Sequence, residues 1–269
     1  MQHLKIIKLN YIILTLSILG VLKVKGQDTL ILKNLKNISC VSIDAKGNKY
    51  ISDDLLTLYK YGPDNKLITN VNNKSYGNIF SIDCSNPFEI YVFYKDQNIL
   101  VFFDNMLNIR GEVRLNDFQM SNVACVSRSY DNHIWLIDMS ENKLLKISKS
   151  GERLAESNYL NSITAKPINP YKVWELNGQV HVADSTIGVF TFDIYTTLDK
   201  TYYTQNFSSI MSSTESLYYN QKGTVVKYNK LLRTLINTNT YIPSKARLAI
   251  DKDNLYYYYD NKIISLKRP

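Results

Sequence analysis

Apolar residues in this chain come in short runs, five to eight residues long, separated by polar turns. Runs such as TLYKY, IYVFY, ILVFF, IWLID and LYYYY are rich in aromatic and β-branched side chains, which pack well on a pleated surface. Turn signals bound them: Lys46-Gly47-Asn48, Asn177-Gly178 and Lys222-Gly223. Beyond the first 26 residues no long stretch repeats its apolar positions every three to four residues, so the pattern predicts strands and hairpins rather than helices.

The runs recur in a fixed order. An inner strand leads to a turn, a second strand, a hairpin, a third strand and a polar turn before a fourth. Copies begin and end at Cys40–Ile68, Phe80–Leu115, Cys125–Leu154, Val173–Leu198, Ile210–Leu235 and Leu248–Leu266. Two markers test the register. The second strand closes at Asp53, Tyr94, Asp138, Asp184, Asn220 and Asp260, and the third at Tyr61, Phe103, Ile147, Phe192, Tyr228 and Leu266. Both sets step by 36 to 46 residues. Four strands in about 40 residues is the size of a propeller blade. The expected fold is therefore all-β: a six-bladed β-propeller with four-stranded blades.

The chain ends complete the count. The sixth copy stops after three strands, while Thr29 to Leu35 (TLILKNL) has no blade of its own. An open ring would expose sheet edges, so this segment is expected to pair antiparallel with Lys262 to Lys267 and close the last blade.

The segments IDAKGNKYISD (43–53), ISKSGERL (147–154) and IDKDNLYYYYD (250–260) resemble blades of the NHL-like six-bladed β-propeller superfamily. Blades four and five depart most: they lack the first Asp of the repeat and carry Glu175 and Ser213 nearby. The resemblance implies architecture. Members of that superfamily include ligand-binding domains, scaffolds, lyases and lactonase-like hydrolases, so fold alone does not define an activity.

Residues 1–26 read as a signal peptide and 27–269 as the propeller domain. His3, Lys5 and Lys8 form a basic start, Tyr11 to Leu22 an apolar stretch, and Gly26-Gln27 a cleavage point. The alternative is a membrane anchor: 12 apolar residues fall short of the ~20 that span hydrocarbon, although Leu4 to Leu9 could extend the stretch. The expected localisation is export, periplasmic or secreted, with no membrane span after cleavage. The net charge of +8 shrinks accordingly. Lys5, Lys8, Lys23 and Lys25 lie in the leader with no acid, leaving 28 basic against 24 acidic residues. That modest, dispersed charge argues against nucleic acid as a partner. Cys40, Cys84 and Cys125 are expected to be free thiols in or beside inner strands.

Candidate chemistry is sparse. His133 and His181 are the only histidines beyond the leader, too few to define a zinc site, and no Gly-x-Ser-x-Gly elbow is present. No cofactor and no metal site is expected, and no catalytic residue is assigned. Asp53, Asp138, Asp184 and Asp260 recur as strand ends; they either ring one face and bind a cation or cap their own hairpins, and their repetition in successive blades favours the caps. Candidate ligand-binding residues are Arg128 and Arg247, which break apolar inner strands. They either face the channel and hold an anion or pair with a neighbouring acid. Tyr76, Tyr159 and Tyr171 join them, from the long connections Thr69 to Asn78 and Asn158 to Tyr171. The leading functional expectation is a non-enzymatic extracytoplasmic binding or scaffold propeller that presents a loop face to a protein, peptide or glycan. The alternative is a metal-dependent hydrolase or lyase of the lactonase or amidoglycolate-lyase kind, for which Glu175 and Glu215 are the available carboxylates.

Cleavage after Gly26 has a direct check. Amino-terminal sequencing of protein recovered from its native host should begin at or beside Gln27; a retained Met1 to Leu22 segment identifies an anchor instead.

Overall fold

The computed structural model describes residues 29–163, 167–204 and 206–268. The leader and its cleavage point lie outside the described residues. Among the described residues no helix is long and apolar enough to cross a membrane.

Six four-stranded antiparallel sheets follow one another around a ring. Blade one comprises Ile38–Ile43, Lys49–Asp53, Thr57–Tyr61 and Leu67–Asn72. Blades two to five repeat that order from inner strands Ser81–Asp83, Val123–Arg128, Lys172–Leu176 and Ser209–Ser212. Blade six contains Arg247–Ile250, Asn254–Tyr259 and Lys262–Lys267. Its outer strand is Thr29–Ile31 from the other end of the described chain. The expected six-bladed propeller is the observed fold.

The alternation of side chains along each strand explains the stacking. Every blade is covered on both faces by its neighbours, so adjacent residues of one strand face different interfaces. Tyr50 packs towards blade two with Ile82 and Val92, whereas Ile51 packs towards blade six with Ala249 and Tyr258. In blade two, Ile90 and Val92 face back to blade one while Tyr91 and Phe93 face blade three. Among the described residues the buried apolar side chains gather into six clusters, one at each blade interface. This is why the middle strands read as nearly continuous apolar runs in the sequence.

The turns follow from the polar punctuation. Asp53 Oδ1 accepts the Leu55 and Thr57 amides at 3.1 and 3.3 Å, Asp138 Oδ1 accepts the Ser140 amide at 2.8 Å, and Asp184 Oδ1 accepts the Thr186 amide at 2.7 Å. Asp260 departs from this role: it adopts φ 51° and pairs with Lys245 at 2.6 Å. Gly188 opens the third strand of blade four at φ 146°, where a Cβ would meet the Tyr202 carbonyl oxygen at 2.1 Å. A side chain at this position would collide with backbone.

Ring closure is shorter in strand and richer in burial than the expected pairing. Thr29, Leu30 and Ile31 pair with Ile264, Ile263 and Lys262, and the Leu32 amide donates to the Asn261 carbonyl at 3.0 Å. The chain then turns, and Leu32 and Leu35 bury at 6% and 5% exposure in the cluster between blades six and one. Burying a leucine side chain contributes about 1.5–3 kcal/mol. Together the two leucines supply several kcal/mol of a total that is typically ~5–15 kcal/mol.

The double variant Leu32→Ala, Leu35→Ala is expected to lose about 4 kcal/mol or more, judged from large-to-small core changes, read as a lower urea midpoint. Unchanged stability would mean that the amino-terminal segment does not close the ring.

Candidate functional site

The six inner strands surround a central cavity of about 800 Å³. They run the same way along the axis, so residues that open them share one mouth and residues that close them share the other. Lys172 and Arg247 each open an inner strand. Lys95 follows the second strand of blade two, in a turn that reaches the same mouth. Cys40, Tyr171, Ser209 and Tyr258 line the cavity with them.

These cations are held without countercharge. Lys172 Nζ donates to the Ile210 carbonyl at 3.1 Å, lies 3.0 Å from Met211 Sδ, and sits 5.4 Å from the Trp174 ring centre. Arg247 Nη1 donates to the Ser39 carbonyl at 2.6 Å. Lys95 Nζ stands 4.7 Å from the centre of the Phe80 ring. Among the described residues none of the three lies within ion-pair distance of a carboxylate. Removal from water disfavours the charged amine and draws Lys172 down from 10.5 to about 8, with Cys40 and Asp83 acting in the opposite sense. The same burial pushes the Cys40 thiol and the Tyr258 hydroxyl up. The Tyr171 hydroxyl is buried close to the Ile210 amide without a well-formed hydrogen bond.

At the opposite mouth the acids are already engaged. Asp83 accepts the Arg128 amide at 2.8 Å and the Ser85 amide at 2.9 Å. Glu175 Oε2 accepts from Trp135 Nε1 at 2.6 Å, Ser129 Oγ at 2.8 Å and the Tyr130 amide at 3.3 Å. Beyond them a second hollow of about 490 Å³ is lined by Ser85, Arg128, Tyr130, Glu175, Asn177 and Ile194, among others.

The structure therefore divides the residues singled out in the sequence. Arg247 and Tyr171 meet at the channel. Arg128 closes its inner strand rather than opening it, so it lies towards the opposite mouth, in the second hollow. Tyr76 is buried, with its hydroxyl donating to Glu112 Oε2 at 2.6 Å. Tyr159 is exposed, with Lys143 Nζ 5.3 Å from its ring centre. The connection that carries Tyr159 is more than a solvated link: Leu160 and Ile168 bury at 0% and 3% between blades three and four. No sequence motif marks Lys172 or Lys95 as channel residues, although Lys172, like Arg247, stands at the start of an inner strand.

Among the described residues no three His, Cys, Asp or Glu side chains gather as metal ligands. Glu215 is exposed in a turn, apart from Glu175. His181 is buried, shares a hydrogen bond with Thr191 at 2.9 Å and stacks on Trp174, and burial holds it down to about 3. The three cysteines are free, and all line the channel.

The chain is a six-bladed β-propeller, and solved propellers share its shape. No family model and no curated protein matches the sequence. A streptogramin B lyase structure aligns with TM-score 0.66 and 9% identity, covering 89% of this chain and 96% of that one. A catalytically inactive virginiamycin B lyase from Staphylococcus aureus with quinupristin gives TM-score 0.64 and 13% identity over 91% and 99%. The β-propeller domain of Cps50 (Swd1) from Myceliophteria thermophila gives TM-score 0.64 and 8% identity over 91% and 100%. At such identities the likeness is one of fold.

Lys172 makes a pH signature. Its folded-state value lies below its unfolded one, so between about pH 8 and 10.5 the unfolded chain binds more protons and stability rises with pH. Lys172→Met should stabilise the protein at pH 7 by at most about 3 kcal/mol. That gain should shrink as pH climbs from 8 towards 10.5, measured by urea unfolding of both proteins across the range. A gain independent of pH would show that Lys172 does not titrate with a lowered pKa in the folded protein.

Proposed function

We propose that this chain works outside the cytoplasm as a non-enzymatic binding propeller that seats an acidic group of a peptide partner at its channel mouth. One observation carries the reading: Lys95, Lys172 and Arg247 line the same cavity without a carboxylate partner among the described residues. Lys172 is half-buried and loses hydration that an incoming carboxylate would offset, while Lys95 and Arg247 are exposed and add attraction that solvent partly screens. Arg247 supplies a planar fork suited to carboxylate geometry, and Tyr171 brings a hydroxyl that has no well-formed bond to lose. The signal-like leader supports placing this recognition in the periplasm or outside the cell. The metal-dependent hydrolase or lyase reading asks for converging carboxylates, whereas Glu175 is engaged by three donors and Glu215 stands apart.

Fluorescein-labelled penta-aspartate tests the site, with penta-asparagine as the neutral control. The acidic peptide should bind, and Arg247→Ala should weaken it by about tenfold, the value of a charged hydrogen bond. Lys252→Ala, at an exposed turn lysine, should leave binding unchanged. Equal binding of the neutral peptide, or equal losses in the two variants, would reduce the effect to diffuse surface charge.

A further inference from the structure

The hollow at the opposite mouth has a different chemistry from the channel. It lies among the hairpins of blades two, three and four, and its floor meets the channel at Ser85, Glu175 and Leu176. Arg128 is its cation. The Arg128 backbone amide goes to Asp83, and one of its terminal nitrogens donates to Asn132 Oδ1. Its Nε is buried with no hydrogen-bond partner, and among the described residues no carboxylate pairs with its guanidinium. Glu175 is the anion of the same hollow. Its Oε2 is filled by Trp135, Ser129 and Tyr130, and a carboxylate has a second oxygen that only accepts. Tyr130 forms the lip and is 65% exposed. Lys146, anchored to Asp131 at 2.6 Å, lies 5.3 Å from the Tyr130 ring centre.

These groups define what fits. A bare anion would meet Arg128 but be repelled by Glu175. A neutral apolar ligand would leave Arg128 without a countercharge and make no use of the second Glu175 oxygen. The occupant must bring a carboxylate for Arg128, hydroxyl donors for Glu175 and a flat, weakly polar face for Tyr130. We infer that this hollow is a second binding site, for a uronic-acid unit of an acidic glycan: the pyranose ring lies against Tyr130, its carboxylate meets the Arg128 guanidinium, and its hydroxyls donate to Glu175. The inference is independent of the peptide site, since it uses none of Lys95, Lys172 or Arg247.

Trp135 supplies a reporter, because its indole donates to the carboxylate that takes the sugar hydroxyls and the chain has just one other tryptophan. Trigalacturonic acid should change the tryptophan emission saturably, and neutral trigalactose should bind at least about tenfold more weakly for want of the charged hydrogen bond. Arg128→Leu should remove the preference for the acidic sugar. Tyr130→Ala, a change at an exposed side chain that the core does not use, should weaken both sugars. Arg247→Ala should alter neither. Equal binding of the two sugars, or retention of trigalacturonic acid by Arg128→Leu, would overturn the assignment. Loss of the sugar in Arg247→Ala alone would move it into the channel and likewise overturn it. Tighter binding of penta-aspartate than of the sugar at Arg128 would replace the glycan by a peptide.

Discussion

The pairing of Thr29, Leu30 and Ile31 with the last strand of the chain is the contact on which the rest of this molecule depends. A propeller blade has two apolar faces and no stability of its own. Each face is buried only because another blade stands beside it. Around a ring that condition is met everywhere or fails at one place, and the place is the joint between blades six and one. There Leu32 and Leu35 join Val41, Ile51, Tyr256 and Tyr258 in a single cluster drawn from both ends of the described chain. Arg247 of blade six adds a bond to the Ser39 carbonyl of blade one. Without this joint, two blade faces and a sheet edge would meet water together.

Closure also makes the channel. Six inner strands brought to one axis do not fill the centre with side chains, because they present their edges to it while their side chains alternate towards the two neighbouring blades, and consecutive residues such as Ser39 to Ile43 border the cavity. What remains is a cavity whose character is set by a few residues at each end. Lys172 and Arg247 begin their strands and Asp83, Arg128 and Glu175 lie at or near the ends of theirs. The two mouths therefore differ in chemistry although the blades that build them share one plan.

The architecture was legible because stacking imposes a period that needs no tertiary knowledge. Asp53, Tyr94, Asp138 and Asp184 close their second strands where the repeat places them, while the strands near Asn220 and Asp260 end one residue later and one earlier. Closure was legible too, since a three-stranded last copy and an orphan strand imply each other. The site was half legible. Arg247 attracted notice because a charge interrupts an apolar strand. Lys172 opens its strand as countless boundary lysines do, and only the ring shows that the boundary faces an axis. Arg128 and Arg247 look equivalent as interruptions. Their places at opposite ends of their strands put them at opposite mouths, and that distinction was present in the sequence. Tyr76 could not be read at all, because its partner Glu112 lies on the outer strand of the blade that follows.

The remaining question is why a folded chain keeps cations in a confined channel without neutralising them. The acids that share the cavity interior are Asp83 and Glu175, and each is committed. Asp83 receives two backbone amides that fix the start of the hairpin after its strand and the end of the next inner strand. Glu175 receives an indole, a hydroxyl and an amide that tie blade three to blade four. Moving either towards Lys172 would strip buried donors of their acceptor, at about 1–3 kcal/mol for each. Asp54 and Asp96 stay at the rim, bound to asparagine side chains. The internal acids thus hold the blades together at one mouth, while at the other Lys172 and Arg247 stand beside rim acids with which they form no ion pair. Lys172 and Arg247 therefore keep no carboxylate partner within the described residues, and that is a consequence of how the blades are joined.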